Sequence, residues 1–339
     1  MQQNSVPIFS VIITAHNRSK YVVSALESVL SQSLDRKLYE VIIVMNFYDF
    51  EIEKIAEANG VLIQITQEKP LTRKIVVGSR IAQGRYLCFL DDDDQFAKNK
   101  LERIYTFINK IGEIGYYHNS IIKIDELGFP LKHQKNGLAK EEMIFLNPEE
   151  IVKGIRQMIH RRADWYCSCI CIDRNSLSNK LDSMWETEAS ADRFLFFAGI
   201  SSGRAVITDN HECTLYRVHE SLTSVISGFN DFIDKKSSFY LRSYMAFESM
   251  SRLYVDNYVS EYVECFVVHA KILNSFLGTK NTVSIIETLK PALISYFKIR
   301  HLPILFWYLM LVLRRMFGKI IVKLYYHADR VVLLKLGVI

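Results

Sequence analysis

Four short apolar runs alternate with four segments of helical periodicity through the first 111 residues of the chain. Residues 9–14 are β-branched and apolar, reading as a strand, and Asn17 or Ser19 then caps a helix that sets Val22, Leu26, Val29 and Leu30 on one face. The pattern repeats at residues 40–45, followed by Ile52, Ile55 and Ala56 at helical spacing and a stop at Gly60. A third strand at 61–66 and a third helix at 70–83, ended by Gly84, precede a fourth strand at 86–90. Leu101, Ile104, Ile108 and Ile111 define the next helix, closed by Gly112 and Gly115. Such alternation predicts right-handed βαβ units: a mostly parallel α/β sheet covered by helices on both faces.

The fourth strand ends in Asp91, Asp92, Asp93 and Asp94. Four adjacent like charges at the mouth of a buried strand require a counter-charge, and hard carboxylate oxygens suit Mg²⁺ or Mn²⁺; a solvated acidic turn is the bland alternative. An EF-hand is excluded, because Phe96 stands where the loop needs glycine and a strand leads in. In doubly wound sheets ligands bind beyond the carboxyl ends of the strands, where strand order reverses. If the first and fourth strands are neighbours, Thr14, Ala15, His16, Asn17 and Arg18 share a crevice with Asp91, Asp92 and Asp93. No glycine-rich phosphate loop is present, so a phosphate-bearing ligand would be held by metal, backbone amides and basic side chains.

Further along, residues 116–124 read as a strand and 125–148 as a long loop, either substrate-facing or a surface excursion. Residues 165–172 read as a strand carrying Cys167, Cys169 and Cys171 on one face, as buried thiols rather than zinc ligands. Asp192 precedes an aromatic run, as a helix-cap acid by default or a carboxylate at the rim of a core. Residues 213–221 read as a strand with Arg217 and His219 opposite Tyr216 and Val218.

Beyond Phe229 the pattern turns helical, with aromatic stripes that read as core. Residues 302–313 are wholly apolar but number only twelve and include Pro303, too short a run to span a bilayer. From Arg314 to Tyr326, Arg and Lys punctuate aliphatic and aromatic residues, a pattern that suits either a helix lying in an anionic membrane surface or one packed on the protein or a partner.

Composition sharpens this picture in two ways. The net charge of +5 over 339 residues is concentrated at the end, where eight Lys and Arg face one Asp in the last forty-nine residues. Their interleaving with aliphatic residues argues against nucleic acid as partner. The amino terminus has no basic segment followed by an apolar run, so the expected location is cytoplasmic, peripheral at the inner face of the cell membrane if the basic segment docks there.

In order and spacing, Phe9-Ser-Val-Ile-Ile-Thr-Ala-His-Asn-Arg18, Ser28-Val-Leu-Ser-Gln32, Glu40-Val-Ile-Ile-Val44, Gly78, Ala82-Gln-Gly84, Phe89-Leu-Asp-Asp-Asp-Asp94 and Tyr216-Arg-Val-His219 together resemble the family-2 glycosyltransferases of the GT-A fold. The resemblance implies a GT-A domain over residues 1–225, with a donor half to about 115 and an acceptor half from about 116; the residue pattern itself reads 226–339 as a helical region whose basic segment at about 300–326 would dock on a membrane, on a partner subunit or on the protein itself. It implies inverting transfer from a nucleotide-sugar donor to a glycan or lipid-linked acceptor, with a divalent cation as cofactor. Asp93 would ligate the metal, Asp91 would share the donor ribose and the metal shell, His219 would lie near metal or diphosphate, and Asp192 would be the general base. Two positions depart from the family. Met45 and Asn46 stand where paired acids commonly read the nucleobase, leaving Asn46 as an uncharged reader. Ile75 and Val76 replace an Arg-Asn pair before Gly78; Arg73 or Lys74 could compensate, solvated helix charges being the default. The alternative is a non-catalytic GT-A-fold binding protein that has lost donor recognition.

Overall fold

Strand β1 (Phe9–Thr14) is buried at every position, as a strand covered on both faces should be. The structure is a computed structural model that describes residues 6–131, 141–219, 227–278, 284–299 and 302–335, the side chains of 302 and 330–335 excepted. The chain divides into two compact units, Met1–Arg217 and Val218–Ile339.

In the first unit, β1 leads through α1 (Val22–Leu30), β2 (Tyr39–Met45), α2 (Phe50–Ala58), β3 (Leu62–Ile65) and α3 (Leu71–Ile81) to β4 (Tyr86–Asp91). Asp49 starts α2 by accepting the N–H groups of Glu51 and Ile52, satisfying donors that a helix start leaves open. These strands pair in parallel in the order β3-β2-β1-β4. Strand order therefore reverses between β1 and β4, and the register sets Thr14 beside Asp91.

The remaining elements are β5 (Gln95–Phe96), α4 (Lys100–Ile111), β6 (Ile114–Ile124), β7 (Met143–Phe145), α5 (Pro148–His160), β8 (Ile170–Asp173), α6 (Arg174–Ser178), α7 (Leu181–Trp185), α8 (Ala191–Ile200) and β9 (Ala205–Arg217). β8 runs antiparallel between β4 and β6, β6 and β9 are parallel, and β5 and β7 pair antiparallel with β9, completing a nine-stranded sheet. The expected α/β class, mostly parallel with flanking helices, is what forms.

Three local expectations change. Residues 165–172 are not one strand: Tyr166 adopts a left-handed φ of 62°, Cys167–Cys169 form a 3₁₀ turn, and the strand begins at Ile170. The three thiols thus share no strand face, and all six cysteines are buried and free. The loop expected at 125–148 contains β7, and α5 begins at Pro148 with the Asn147 side chain accepting the Glu150 N–H; residues 132–140 lie outside the described residues. The strand expected at 213–221 is the end of β9, which stops at Arg217; residues 220–226 lie outside the described residues.

The second unit comprises α9 (Phe229–Leu253), α10 (Ser260–Leu277), α11 (Ile285–Ile299), α12 (Leu302–Phe317) and α13 (Lys319–Lys335). α10 is its centre, packing against α9, α11 and α12. The aromatic stripes meet there, with Phe247 stacked on Phe266 at 5.4 Å and Trp307 between Phe276 and Tyr325. Arg314 donates to the carbonyls of Ser275, Phe276 and Gly278 at the end of α10, where a helix offers unpaired acceptors. Among the described residues no helix is long and apolar enough to cross a membrane.

Gly84 is required where α3 returns to β4. A Cβ there would stand 2.5 Å from the Phe9 carbonyl carbon and 2.6 Å from the Ser10 nitrogen, and backbone atoms in the centre of a sheet cannot move aside. Gly84→Ala is therefore expected to destabilise the first unit by roughly 2–4 kcal/mol, read as a lowered urea midpoint by tryptophan fluorescence; an unchanged midpoint would show that the sheet yields there.

Candidate active site

The four aspartates at the end of β4 do not act as one patch. Asp92 and Asp94 are buried, whereas Asp91 and Asp93 are half-buried. Asp92 is held by Arg18, whose Nη2 donates to Oδ1 at 2.5 Å, and by the backbone N–H of His16. The same guanidinium nitrogen reaches Asp93 Oδ2 at 2.6 Å. The loop after β1 is thus tied down on the acid run, the crevice expected from the strand order.

Asp94 points the other way. Its Oδ1 accepts the Arg217 N–H at 3.0 Å, while the Arg217 side chain donates to the carbonyls of Asp93 at 2.8 Å, Asp125 at 2.9 Å and Glu126 at 2.8 Å. Arg217 is buried, not on an exposed strand face as its alternation suggested; its planar fork satisfies carbonyls that would otherwise be left unpaired. The floor is completed by Ser168, whose hydroxyl accepts the Asp91 N–H at 3.1 Å and whose carbonyl accepts the ammonium of fully buried Lys100 at 2.5 Å.

Electrostatics follow from this packing. Burial, and then the charges of Asp94, Asp93, Asp92 and Asp192, hold the Asp91 carboxyl well above the usual carboxylate range. Burial and Asp93 raise Asp94 to about 7, against hydrogen bonds from Ser168 and Arg217. This crowding is what a cation would relieve, so the donor set fits one: Asp91 and Asp93 offer hard oxygens. Among the described residues no three His, Cys, Asp or Glu side chains form a ready-made metal cage.

Asp192 sits in the first turn of α8, behind Ser190 in a left-handed conformation. It is not the helix cap. Its carboxylate accepts the Arg193 N–H at 2.9 Å and a backbone N–H from Tyr166, so the left-handed turn at Tyr166 serves to aim that donor. Burial raises its pKa, and its charge is among those raising Asp91. Two carboxylates far apart in sequence are thereby within electrostatic reach of each other. Beside them Arg193 pairs with buried Asp164 at 3.0 Å and stands over the Trp165 ring.

The other expected residues are placed as follows. Thr14 is buried, with its hydroxyl 3.5 Å from Asp91, and Ala15 is buried and offers the crevice no side chain. Asn46 clasps Asn17: its Oδ1 accepts the Asn17 N–H at 2.8 Å and its amide donates to the Asn17 side chain at 2.5 Å. Asn17 adopts a φ of 52°, which asparagine tolerates better than most residues. His16 Nδ1 is buried without a hydrogen-bond partner, and burial followed by Lys74 and Lys69 lowers its pKa. His219 is half-buried, two residues past the end of β9 and beyond the boundary of the first unit.

Lys74 departs most from expectation. Rather than a solvated helix charge it is 2% exposed, and burial lowers its pKa to about 8, partly offset by Asp92. Arg73 is held by Glu68 at 3.1 Å, by the Trp185 carbonyl and over the Trp185 ring. α3 is seated closely on β1 at Gly78, whose Cβ would meet Ile12 at 2.6 Å, and Lys74 is buried on that same helix beside Ile75.

The mostly parallel α/β sheet, with the acid run at its switch point and helices on its flanks, is the GT-A fold of its solved structural neighbours. Residues 10–169, just under half of the chain, match the family profile described as "Glycosyl transferase family 2". The solved structure of S. aureus TarS 1–349 aligns with a TM-score of 0.52 at 13% identity, covering 86% of this chain and 80% of that one. WfaP of Escherichia coli, described as a UDP-Glc:alpha-D-GlcNAc-diphosphoundecaprenol beta-1,3-glucosyltransferase, is 27% identical over 222 residues, 64% of this chain and 80% of that protein. An uncharacterized glycosyltransferase of Rickettsia bellii is 32% identical over 133 residues, 38% of this chain but 19% of that protein; the chain spans about a fifth of the length of such relatives. These likenesses support a family-2 glycosyltransferase.

The buried charge of Lys74 has a measurable signature. Its folded pKa of about 8 lies below the ordinary lysine value of 10.5, so between those pH values the unfolded chain binds more protons and stability rises with pH. Lys74→Met is expected to flatten that rise and to stabilise the protein at pH 7 by roughly 1–3 kcal/mol. Urea unfolding at pH 7 and pH 10 checks both, and a destabilised variant at pH 7 would show that Asp92 fully compensates the charge.

Proposed function

We propose that the chain is an inverting glycosyltransferase that moves a sugar from a nucleoside-diphosphate donor to a glycan or polyprenyl-phosphate acceptor carried on lipid. One observation carries the reading: at the point where the strand order reverses, Arg18 from the loop after β1 is bound to Asp92 and Asp93 at the end of β4, and the charge of Asp192 is also felt at Asp91. The donor's diphosphate would lie over Asp91 and Asp93, near Arg18. A divalent cation, Mn²⁺ or Mg²⁺, would be held by Asp91 and Asp93 and would supply charge neutralisation to the departing diphosphate. Asp92 and Asp94 position this arrangement from below.

Asp192 takes the proton of an acceptor hydroxyl as its oxygen bonds to the anomeric carbon; the bond to the diphosphate oxygen breaks and the nucleoside diphosphate leaves with the electron pair. Its raised pKa suits that task, since a base nearer neutrality holds the proton better. The description of WfaP supports a lipid-diphosphate acceptor, and the solved complex of TarS 1–349 with UDP-GlcNAc, TM-score 0.51, supports a nucleotide-sugar site in this fold. A peripheral position at the inner membrane face, reached through the basic segment 300–326, suits such an acceptor.

Thermal unfolding with a panel of nucleoside diphosphates and sugar nucleotides tests the donor half. A shift with one base that needs Mn²⁺ or Mg²⁺ and is lost in Asp93→Ala is the expected result, because only native-state binding raises the melting temperature. No shift with any nucleotide would favour the non-catalytic reading instead. For the acceptor half, Asp192→Asn is expected to lower kcat by roughly 10²–10⁴ while leaving donor affinity in place; a retained rate would mean that the acceptor is a phosphate, which needs no base.

A further inference from the structure

Helix α11 is built inside out. The side chains it buries are Thr288, Ala292, Ser295 and Ile299, mostly small or polar. Its large apolar residues, Ile286, Leu289, Leu293, Ile294 and Phe297, form a continuous stripe on the opposite side, with Ile286 84% and Phe297 69% exposed. An open groove of about 610 Å³ runs along that stripe, with Lys290 and Lys298 also lining it. Periodicity alone would turn this stripe into the core, yet the core side is taken by the small residues that let α11 pack on α10.

We infer that the α11 stripe is the surface by which this protein docks on an anionic lipid membrane. The charge around it selects that occupant. Among the described side chains of α11, α12 and α13 there are six Lys and Arg against two acids, Glu287 and Asp329, and one of the six, Lys298, is ion-paired with Glu261 of α10. A second copy related by two-fold symmetry would bring this basic surface against its own image, an arrangement that like charges oppose. Anionic headgroups meet Lys290 favourably while the apolar stripe enters the acyl boundary. The stripe also replaces part of what the sequence assigned to residues 314–326, since Arg314 is engaged with the end of α10 and Trp307 and Tyr325 pack in the core of the unit.

This inference rests on the proposed function only in taking the acceptor to be borne by lipid, and its test needs no nucleotide. The full chain is floated with phosphatidylcholine vesicles with and without phosphatidylglycerol, beside an Ile286→Ser/Phe297→Ser variant and a Lys290→Glu variant. Wild type is expected to bind the anionic vesicles alone, the double variant to bind at least about tenfold more weakly, and Lys290→Glu to lose affinity in the same direction. Both variants alter exposed positions and are checked by an unchanged melting temperature. Undiminished binding of the double variant would overturn the inference, as would wild-type binding to neither vesicle. So would a wild-type dimer in light scattering that the double variant dissolves, because a second copy would then cover the stripe. Nucleotide-induced thermal shifts of the same variants, measured separately, report on the transferase reading whatever the vesicles show.

Discussion

The repulsion among four consecutive carboxylates at the end of β4 is the constraint on which the first unit depends. No single cation answers it. Arg18 comes from the loop after β1 and Arg217 from the last residue of β9, with the Ser168 hydroxyl meeting Asp94 from beneath. Each arrives from a different part of the chain, so the acid run can be tolerated only in the folded topology. The same interactions that make the sheet compatible with its own charge also fix the walls of the crevice.

The run is divided between structure and chemistry by the direction in which successive side chains leave the backbone. Asp92 turns inward to Arg18 and Asp94 to the Arg217 backbone, whereas Asp91 and Asp93 stay half-buried, Asp93 also meeting Arg18. Opposite them, left-handed residues at Tyr166 and Ser190 bracket Asp192. Backbone conformations of that kind are costly for non-glycine residues and persist where the surroundings over-determine them; here the Tyr166 N–H is delivered to the Asp192 carboxylate in return. The second unit applies a different logic, ordering itself around α10 and presenting on α11 an apolar face that its own core does not use.

Much of the first unit was legible in the sequence because burial in a parallel sheet writes a continuous apolar run, and helices between such runs write a 3.6-residue period. The strands at Phe9, Glu40, Val61 and Tyr86 and the meeting of Arg18 with Asp92 and Asp93 follow from that pattern or from family likeness. The stretch around Cys167 misled because alternating cysteines mimic strand periodicity, while the left-handed turn at Tyr166 leaves no mark in composition. The segment 125–148 misled because a three-residue strand is too short to show a period.

What the sequence determined by itself was local and periodic: where strands and helices begin, and that a cluster of carboxylates ends β4. Which charges meet that cluster was decided only in three dimensions. Lys74 was read as solvated and Arg217 as outward, since a cation on a helix or strand carries the same local signal whether it faces water or a buried carboxylate. The orientation of α11 was settled in the same way, by the close fit of its small residues against α10 overriding the hydrophobicity of its other face. Packing and long-range charge pairing depend on distances between segments remote in sequence, and those distances exist only once the chain has folded.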